Sequence, residues 1–344
     1  MSCPKPGKGF GRFISRSFLA AIFWLVASLE SQAMIFVSTA DSNFNTTEPT
    51  GNLAASGWQW VGNWGGYQGT PIGPHHFVSA RHVGGAVGDS LFLNGVAYVT
   101  NTYFDDATSD LRIWQVNESF PSWAPLYRTS DEAGKSLVVF GRGLTRGLPV
   151  VTKVGVPGVP VGSLAGWQWG ANDGRLRWGL NSISSIIDGG SYWGILLYAE
   201  FDGAGGVNEA HLALGDSSGP VFINDGSGWK LAGVAAAVDG PFNTANTGAG
   251  FNAAIFDWRG LYYDDATRGW LLVGGPLPVP SGFYATRVSA RVAWIDGIVG
   301  SQPVDSGADV PLFTPEGSLA LAGVFFFVGT RFLPTSGRQR TSQT

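Results

Sequence analysis

Short runs of aliphatic, aromatic and β-branched residues recur along the chain from about Gly57 to Gly300. Gly, Asn, Asp or Pro separate them, and these residues favour turns. The pattern predicts strands at WQWVG, HHFVSA, SLFLNGVAYVT, DLRIWQV, SLVVFG, VTKVGVP, WGILLYAEF, PVFI, WKLAGVAAAV and FYATRV. One late segment differs, because ARVAWIDGIV (290–299) spaces Val292, Ile295 and Ile298 as an apolar stripe on a helix. The sequence therefore predicts an all-β domain that ends in a short helix.

The beginning of the chain has the layout of a secretory signal peptide. Basic residues precede the apolar run FLAAIFWLVASL (18–29), and Ser31 and Ala33 follow with the small-residue spacing of a cleavage site. We expect residues 1–33 to be removed after Ala33. A membrane anchor is the alternative, although the run has about 12 residues and a span needs roughly 20. Residues 34–56 are polar and predict a loose leader.

Composition supports the β interpretation and narrows the chemistry. The 344 residues include 51 glycines and 14 tryptophans, and only 13% are charged. The net charge of -4 and the absence of a basic stripe disfavour a nucleic-acid partner. The single cysteine, Cys3, lies in the predicted signal peptide, so we expect no disulfide in the mature protein. We also expect no metal and no cofactor, because no Cys/His cluster with zinc spacing and no complete calcium-loop pattern occurs.

A second apolar run lies near the other end, after a Pro/Gly/Asp-rich linker at 301–314. The segment TPEGSLALAGVFFFVGTRFLPTSGRQR (314–340) resembles the bacterial PEP-CTERM sorting signal, in which a Pro-Glu-Pro motif precedes an apolar helix and a basic tail. Gly317 replaces the second proline, and the arginines are scattered, so a core strand or a weak membrane anchor is the alternative. The resemblance implies that residues 315–344 contact a membrane transiently and are recognised there by a processing enzyme of the exosortase type. With the signal peptide, it places the protein in the cell envelope or outside the cell.

Three segments together supply the groups that activate a serine nucleophile. The run VSARH ends on His82, Asp110 opens the strand DLRIWQV, and GDSSGP (215–220) holds Ser217 between glycines. A serine hydroxyl needs a base, which histidine supplies, and a carboxylate that orients the imidazole. Backbone amides of Gly215 and Ser217 can stabilise the charge of an attacked carbonyl. Asp105 and Asp106 compete with Asp110 for the carboxylate role.

These segments resemble those of the trypsin/chymotrypsin family of serine proteases. GDSSGP matches the family's Gly-Asp-Ser-Gly-Gly-Pro loop at five of six positions, and VSARH, DLRI, GFYATRV and VAWI resemble its other core segments. The resemblance covers about residues 57–300. It implies a secreted serine endopeptidase that cleaves polypeptides. It also implies two antiparallel six-stranded β-barrels, at about 57–135 and 136–300, with His82 and Asp110 in the first and Ser217 in the second.

Several departures from the family pattern leave a second function open. Ser218 replaces a glycine, which we expect to be tolerated only at a negative φ. No Ile-Val-Gly-Gly start precedes Trp58. In the family, a freed N-terminus of that kind pairs with the residue that matches Asp216, so here Asp216 must find another partner, or the protein needs no such activation. Residues 241–280 look like an inserted loop. The alternative is a catalytically inactive protein of the same fold, which serves as an exported binding or matrix component.

The resemblance also points to a pocket for the side chain that precedes the cleaved bond. Its floor falls on His211, one wall on Ala236, Ala237 and Val238, and the other wall near Gly282. A small misalignment would instead place Glu209 at the floor and favour basic side chains. Val238 stands where an open pocket has glycine, so we expect a narrow pocket that prefers small or medium apolar side chains such as Ala or Val.

Overall fold

The computed structural model describes residues 34–265 and 267–301, so both predicted targeting segments lie outside the described residues. It is mostly β, with 44% of residues in strands and 9% in helices. The strands are β1 (Ile35–Phe36), β2 (Gly62–Trp64), β3 (Tyr67–Gly73), β4 (His76–Ala80), β5 (Ser90–Leu93), β6 (Val96–Asp105), β7 (Leu111–Val116), β8 (Ser136–Gly141), β9 (Leu144–Val151), β10 (Leu164–Asn172), β11 (Arg177–Ser182), β12 (Ser185–Asp188), β13 (Ile195–Glu200), β14 (Ala210–His211), β15 (Pro220–Asn224), β16 (Trp229–Val238), β17 (Phe242–Asn243), β18 (Ala253–Ile255), β19 (Tyr262–Asp265), β20 (Gly269–Leu272) and β21 (Gly282–Arg287). The helices are α1 (Gly190–Trp193) and α2 (Val292–Val299), with 3-10 turns at Gly51–Leu53, Trp58–Trp60, Arg81–Val83 and Ser289–Arg291.

Strands β2 to β7 close into a six-stranded antiparallel barrel in the order β2-β3-β4-β7-β6-β5. Alternation along the strands sends large side chains inward, and Trp64, Phe77 and Trp114 pack together in the interior. Strand β4 pairs with β7 so that Ala80 lies opposite Leu111. This register brings the end of β4 beside the start of β7, where His82 and Asp110 are.

The second part of the chain forms an open seven-stranded sheet, β11-β8-β15-β16-β21-β13-β12, and a second barrel is not shown. One buried cluster joins the two parts, since Val78 and Ile113 of the barrel pack with Val138 and Phe222 of the sheet. The predicted helix is present as α2, and its Ile295 is buried in the same cluster. This shared core fixes the barrel against the sheet and with it the elements that carry the site.

The structure differs from the sequence prediction at four places in the fold. The segment VTKVGVP (151–157) is not a strand, because β9 ends at Val151. Residues 34–36 are not a loose leader, because Met34, Ile35 and Phe36 are fully buried and β1 pairs with β14. The WQW segment forms a 3-10 turn instead of a strand. The region 241–280 contains four short strands, and one of them, β18, pairs with β10 to extend the β9–β10 hairpin into a three-stranded sheet.

Candidate active site

His82 lies in the 3-10 turn that follows β4, and the barrel places Asp110 directly beside it. The backbone amide of Arg81 donates to the carbonyl oxygen of Asp110 at 2.7 Å, which continues the β4–β7 pairing by one residue. The Asp110 carboxylate then accepts two hydrogen bonds from His82, from the backbone amide at 3.0 Å and from ring Nδ1 at 2.5 Å. Asp110 is fully buried, whereas the His82 side chain is 27% exposed. The carboxylate therefore holds the imidazole by Nδ1 and leaves Nε2 for another partner.

The two competing aspartates are engaged elsewhere. Asp105 forms a two-point ion pair with Arg112, at 2.5 Å from Nε and 2.8 Å from Nη2. Asp106 accepts from the Ser109 hydroxyl at 2.6 Å and pairs with Arg291 at 3.2 Å. Only Asp110 of the three contacts His82 through its carboxylate.

Ser217 completes a chain of three side chains. Its Oγ lies 2.9 Å from His82 Nε2, the ring nitrogen that faces away from Asp110. With Nδ1 protonated towards the carboxylate, Nε2 is the acceptor of the serine proton. The arrangement can deprotonate Ser217 as it attacks an electrophile and can return the proton afterwards.

The loop before Ser217 leaves two backbone donors open. Gly215 adopts a φ of 95°, which favours glycine, and a Cβ there would lie 2.8 Å from the Cα of Gly143. Neither the Gly215 amide nor the Ser217 amide donates a hydrogen bond to any other described residue. Both are available to a negatively charged oxygen beside Ser217.

Ser218 contradicts the expectation of a negative φ, because its φ is 66°. The physical reason lies in its contacts. The Ser218 hydroxyl accepts from the backbone amide of Ala80 at 2.7 Å, and the Ser218 amide donates to the carbonyl of Ala235 at 2.8 Å. The hydroxyl thus joins the serine loop to the end of β4, two residues before His82, which offsets the strain of the left-handed backbone.

Asp216 finds its partners in the backbone. Its carboxylate accepts from the amides of Gly143 at 2.7 Å and Ala213 at 2.8 Å, and complete burial raises its pKa to about 7. Gln68, buried in the barrel strand β3, supports the same loop. In the orientation that satisfies its neighbours, its side-chain amide donates to the carbonyl of Ser217 at 2.8 Å and accepts from the amide of Arg142 at 2.9 Å.

A cavity of about 200 Å³ opens beside His82 and Ser217. Ala236, Ala237 and Val238 line it. His211 does not, because it is fully buried: its Nδ1 lies 2.5 Å from the Leu212 carbonyl oxygen, and its ring meets those of Phe201 and Phe283 edge-on.

Gly282 and Glu209 are also absent from the cavity lining. A Cβ at Gly282 would lie 2.5 Å from the Ala199 carbonyl oxygen, so the backbone there packs against β13. Glu209 accepts from the Asp202 amide at 3.1 Å, and burial raises its pKa to about 8. Neither the predicted floor nor its acidic alternative reaches the cavity.

Three residues near the site are missed by sequence reasoning. Trp169 of β10 lines the cavity, Trp193 of α1 packs edge-on against His82 with ring centroids 6.0 Å apart, and Gln68 supports the serine loop. Trp169 and Trp193 come from regions where no local pattern identifies them. Gln68 carries the one usable signal, a polar residue inside a strand-like run.

No protein-family model matches this chain, and a search of curated proteins finds no match. The interpretation of the site therefore depends on its own geometry. Within residues 34–265 and 267–301, no helix has the length and apolar character needed to cross a membrane. In the same two ranges, no group of three or more His, Cys, Asp or Glu side chains is placed to hold a metal ion.

Proposed function

We propose that this protein is a serine endopeptidase that cleaves polypeptides through an acyl-enzyme on Ser217. The observation that carries the proposal is the hydrogen-bonded series of Asp110, His82 and Ser217. A buried carboxylate, an imidazole held by one nitrogen and a serine on the other is the arrangement that makes a hydroxyl nucleophilic at neutral pH.

The reaction begins when Ser217 Oγ attacks the carbonyl carbon of the peptide bond and its proton moves to His82 Nε2. The carbonyl oxygen becomes an oxyanion, which the amides of Gly215 and Ser217 stabilise. His82 then protonates the leaving nitrogen, the C–N bond breaks, and the acyl group stays on Ser217. Water, deprotonated by His82, hydrolyses this ester and regenerates the serine.

The proposal includes a chymotrypsin-like architecture with two barrels. The closed barrel carries His82 and Asp110, and the seven-stranded sheet carries Ser217, which is the division that the family resemblance implies. The side chain of Asn181 on β11 donates to the carbonyl of Glu200 on β13 at 2.7 Å. In the strand order, β11 lies at one end of the sheet and β13 lies near the other end, and this hydrogen bond joins them directly. The contact supports a sheet that rolls up into a barrel-like second half.

Export is the remaining part of the proposal, and it depends on the sequence of the two ends. We expect the mature protein to begin near Met34 and to lack the residues beyond Glu316. Intact-mass measurement of the protein secreted by its native host tests both cuts. Recovery of the complete tail in the secreted fraction would count against processing of the exosortase type.

Labelling with a fluorophosphonate probe tests the enzyme proposal. The wild type should be labelled and Ser217→Ala should not, because the probe reacts with an activated serine. Ser227→Ala is the matched control, since Ser227 lies in an exposed turn between β15 and β16 and should leave labelling intact. A folded wild-type protein without labelling would instead favour the inactive binding or matrix component.

A further inference from the structure

A second cleft, of about 610 Å³, lies beside the serine loop and shares no lining residue with the cavity described above. The barrel contributes Asn63, Phe92 and Asn94, and the second half of the chain contributes Arg142 and Arg175. Among the described residues that line it, these two arginines are the only charged ones. We call it the Arg142 cleft.

Arg142 has no anionic partner in the described part of the chain. Its Nη1 donates a long hydrogen bond of 3.3 Å to the carbonyl of Gly174, and its Nε is buried without a hydrogen-bond partner among the described residues. Burial lowers the pKa of this guanidinium. An under-solvated arginine with open donors gains from a carboxylate, which can accept two parallel hydrogen bonds from it.

Arg175 adds to the positive potential of the cleft. Its nearest carboxylate, Asp173, is 4.0 Å from Nε, and that aspartate is already paired at 2.7 Å with Arg177. Arg175 is about half exposed, and its Nη1 donates to the neutral side chain of Asn43 at 2.9 Å, so its charge is not neutralised there. A local excess of positive charge on a protein whose net charge is -4 selects for an anion at this place.

The cleft is coupled to the catalytic serine through the backbone. The Gln68 side chain accepts a hydrogen bond from the Arg142 backbone amide and donates one to the Ser217 carbonyl. A single side chain therefore bridges the two backbone segments. The next residue, Gly143, donates its amide to Asp216 at 2.7 Å. The backbone that carries Arg142 therefore contacts the loop that carries the nucleophile.

We propose that the Arg142 cleft binds a carboxylate of the polypeptide substrate, on the side that leaves after cleavage. This inference rests on the proposed function, in which the residues before the cleaved bond occupy the cavity lined by Ala236 and Val238. Residues after the bond then need a separate site, and the exposed Phe92 offers an apolar platform for their stems. The carboxylate belongs to an Asp or Glu side chain or to the end of the peptide.

A series of peptide substrates tests the proposal. The residues before the cleaved bond are the same in every peptide, and the three positions after it carry Asp, Ala or Lys. A parallel pair that ends in a free carboxylate or an amide at those positions separates the two sources of the carboxylate. We expect kcat/KM for the acidic peptide to exceed that of the alanine peptide by roughly tenfold to a hundredfold, as a charge-assisted hydrogen bond allows. Arg142→Gln should bring this ratio to about one and Arg142→Lys should retain part of it. Arg268→Gln, which alters an exposed ion pair elsewhere, should leave the ratio unchanged.

If Arg142→Gln lowers kcat/KM equally for the acidic and the alanine peptides, the arginine has a structural role and the proposal is overturned. A higher kcat/KM for the Lys peptide than for the Asp peptide in the wild type would also overturn it. Binding of labelled acidic peptide to Ser217→Ala and to Ser217→Ala/Arg142→Gln, measured by fluorescence anisotropy, requires no catalysis. Fluorophosphonate labelling without any acidic preference would remove this inference and leave the proposed function. If the probe does not label the protein but acidic peptide still binds in a way that depends on Arg142, the proposed function is removed and the binding site at Arg142 is left.

Discussion

Replacement of Ser218 tests whether its hydroxyl offsets a strained backbone and holds the two halves of the site together. Ser218→Ala retains the left-handed conformation but removes the acceptor of the Ala80 amide, which is buried. Loss of a buried partner costs about 1–3 kcal/mol. Ser218→Gly loses the same hydrogen bond but relieves about 1–2 kcal/mol of left-handed strain. We therefore expect the glycine variant to be more stable than the alanine variant by about 1–2 kcal/mol.

Urea unfolding of the three proteins measures this order directly. Ala55→Gly provides the calibration, because Ala55 is exposed at a φ of 57° and reports strain relief without a hydroxyl. Both Ser218 variants should also lose about tenfold in kcat at similar KM, since the hydroxyl positions the strand that leads to His82. A glycine variant less stable than the alanine variant, or full kcat in both, would refute the reasoning.

Three further predictions concern the carboxylate, the pocket and a buried acid. Asp110→Asn should lose about 10⁴-fold in kcat while the fold persists, because the amide favours the wrong imidazole tautomer; near-full activity would move the role to Asp105 or Asp106. A peptide-library cleavage profile should show preference for Ala or Val before the cleaved bond. Val238→Gly should change the discrimination in kcat/KM in favour of larger side chains by about 1–3 kcal/mol. Dominant cutting after Arg or Lys would contradict a narrow pocket. Burial raises the pKa of Glu209, so the wild type has its full stability below pH 4.5 and loses stability as pH rises towards about 8. Glu209→Gln should therefore gain stability relative to the wild type between pH 5 and 9, by on the order of 4 kcal/mol in urea unfolding. Parallel pH profiles of the two proteins would contradict this.

The sequence is informative where a side chain's position follows from its own strand. His82 and Asp110 sit at the ends of β4 and β7, two segments whose alternation is plain, and pairing of those segments brings the side chains together. The serine loop is equally local, because Gly215 and Gly219 set its path. Strands β4, β5, β6 and β7 and helix α2 follow from the same short-range patterns, whereas the closed barrel is what the family resemblance implies.

The parts that sequence reasoning misses depend on partners far along the chain. Counting back from the serine reaches His211, but its ring lies among Phe201 and Phe283 in the core. Trp169 enters the cavity because its hairpin pairs with residues 253–255, a contact that no local pattern specifies. The short run at 34–36 has no periodicity of its own and acquires a strand only from β14.

That pairing has a consequence for the order in which the chain can fold. Ile35 is aligned with His211, about half the sequence away, so the two segments must close a very long loop before either is buried. Contacts of such high sequence separation slow folding and leave apolar residues open in the meantime. During synthesis, the first residues of β1 emerge well before their partner exists. We expect removal of residues 34–36 to speed refolding, because this long loop no longer has to close, and to increase aggregation in light-scattering measurements, because the apolar residues that they cover stay exposed. Unchanged refolding kinetics would show that β1 docks only after the rest has folded.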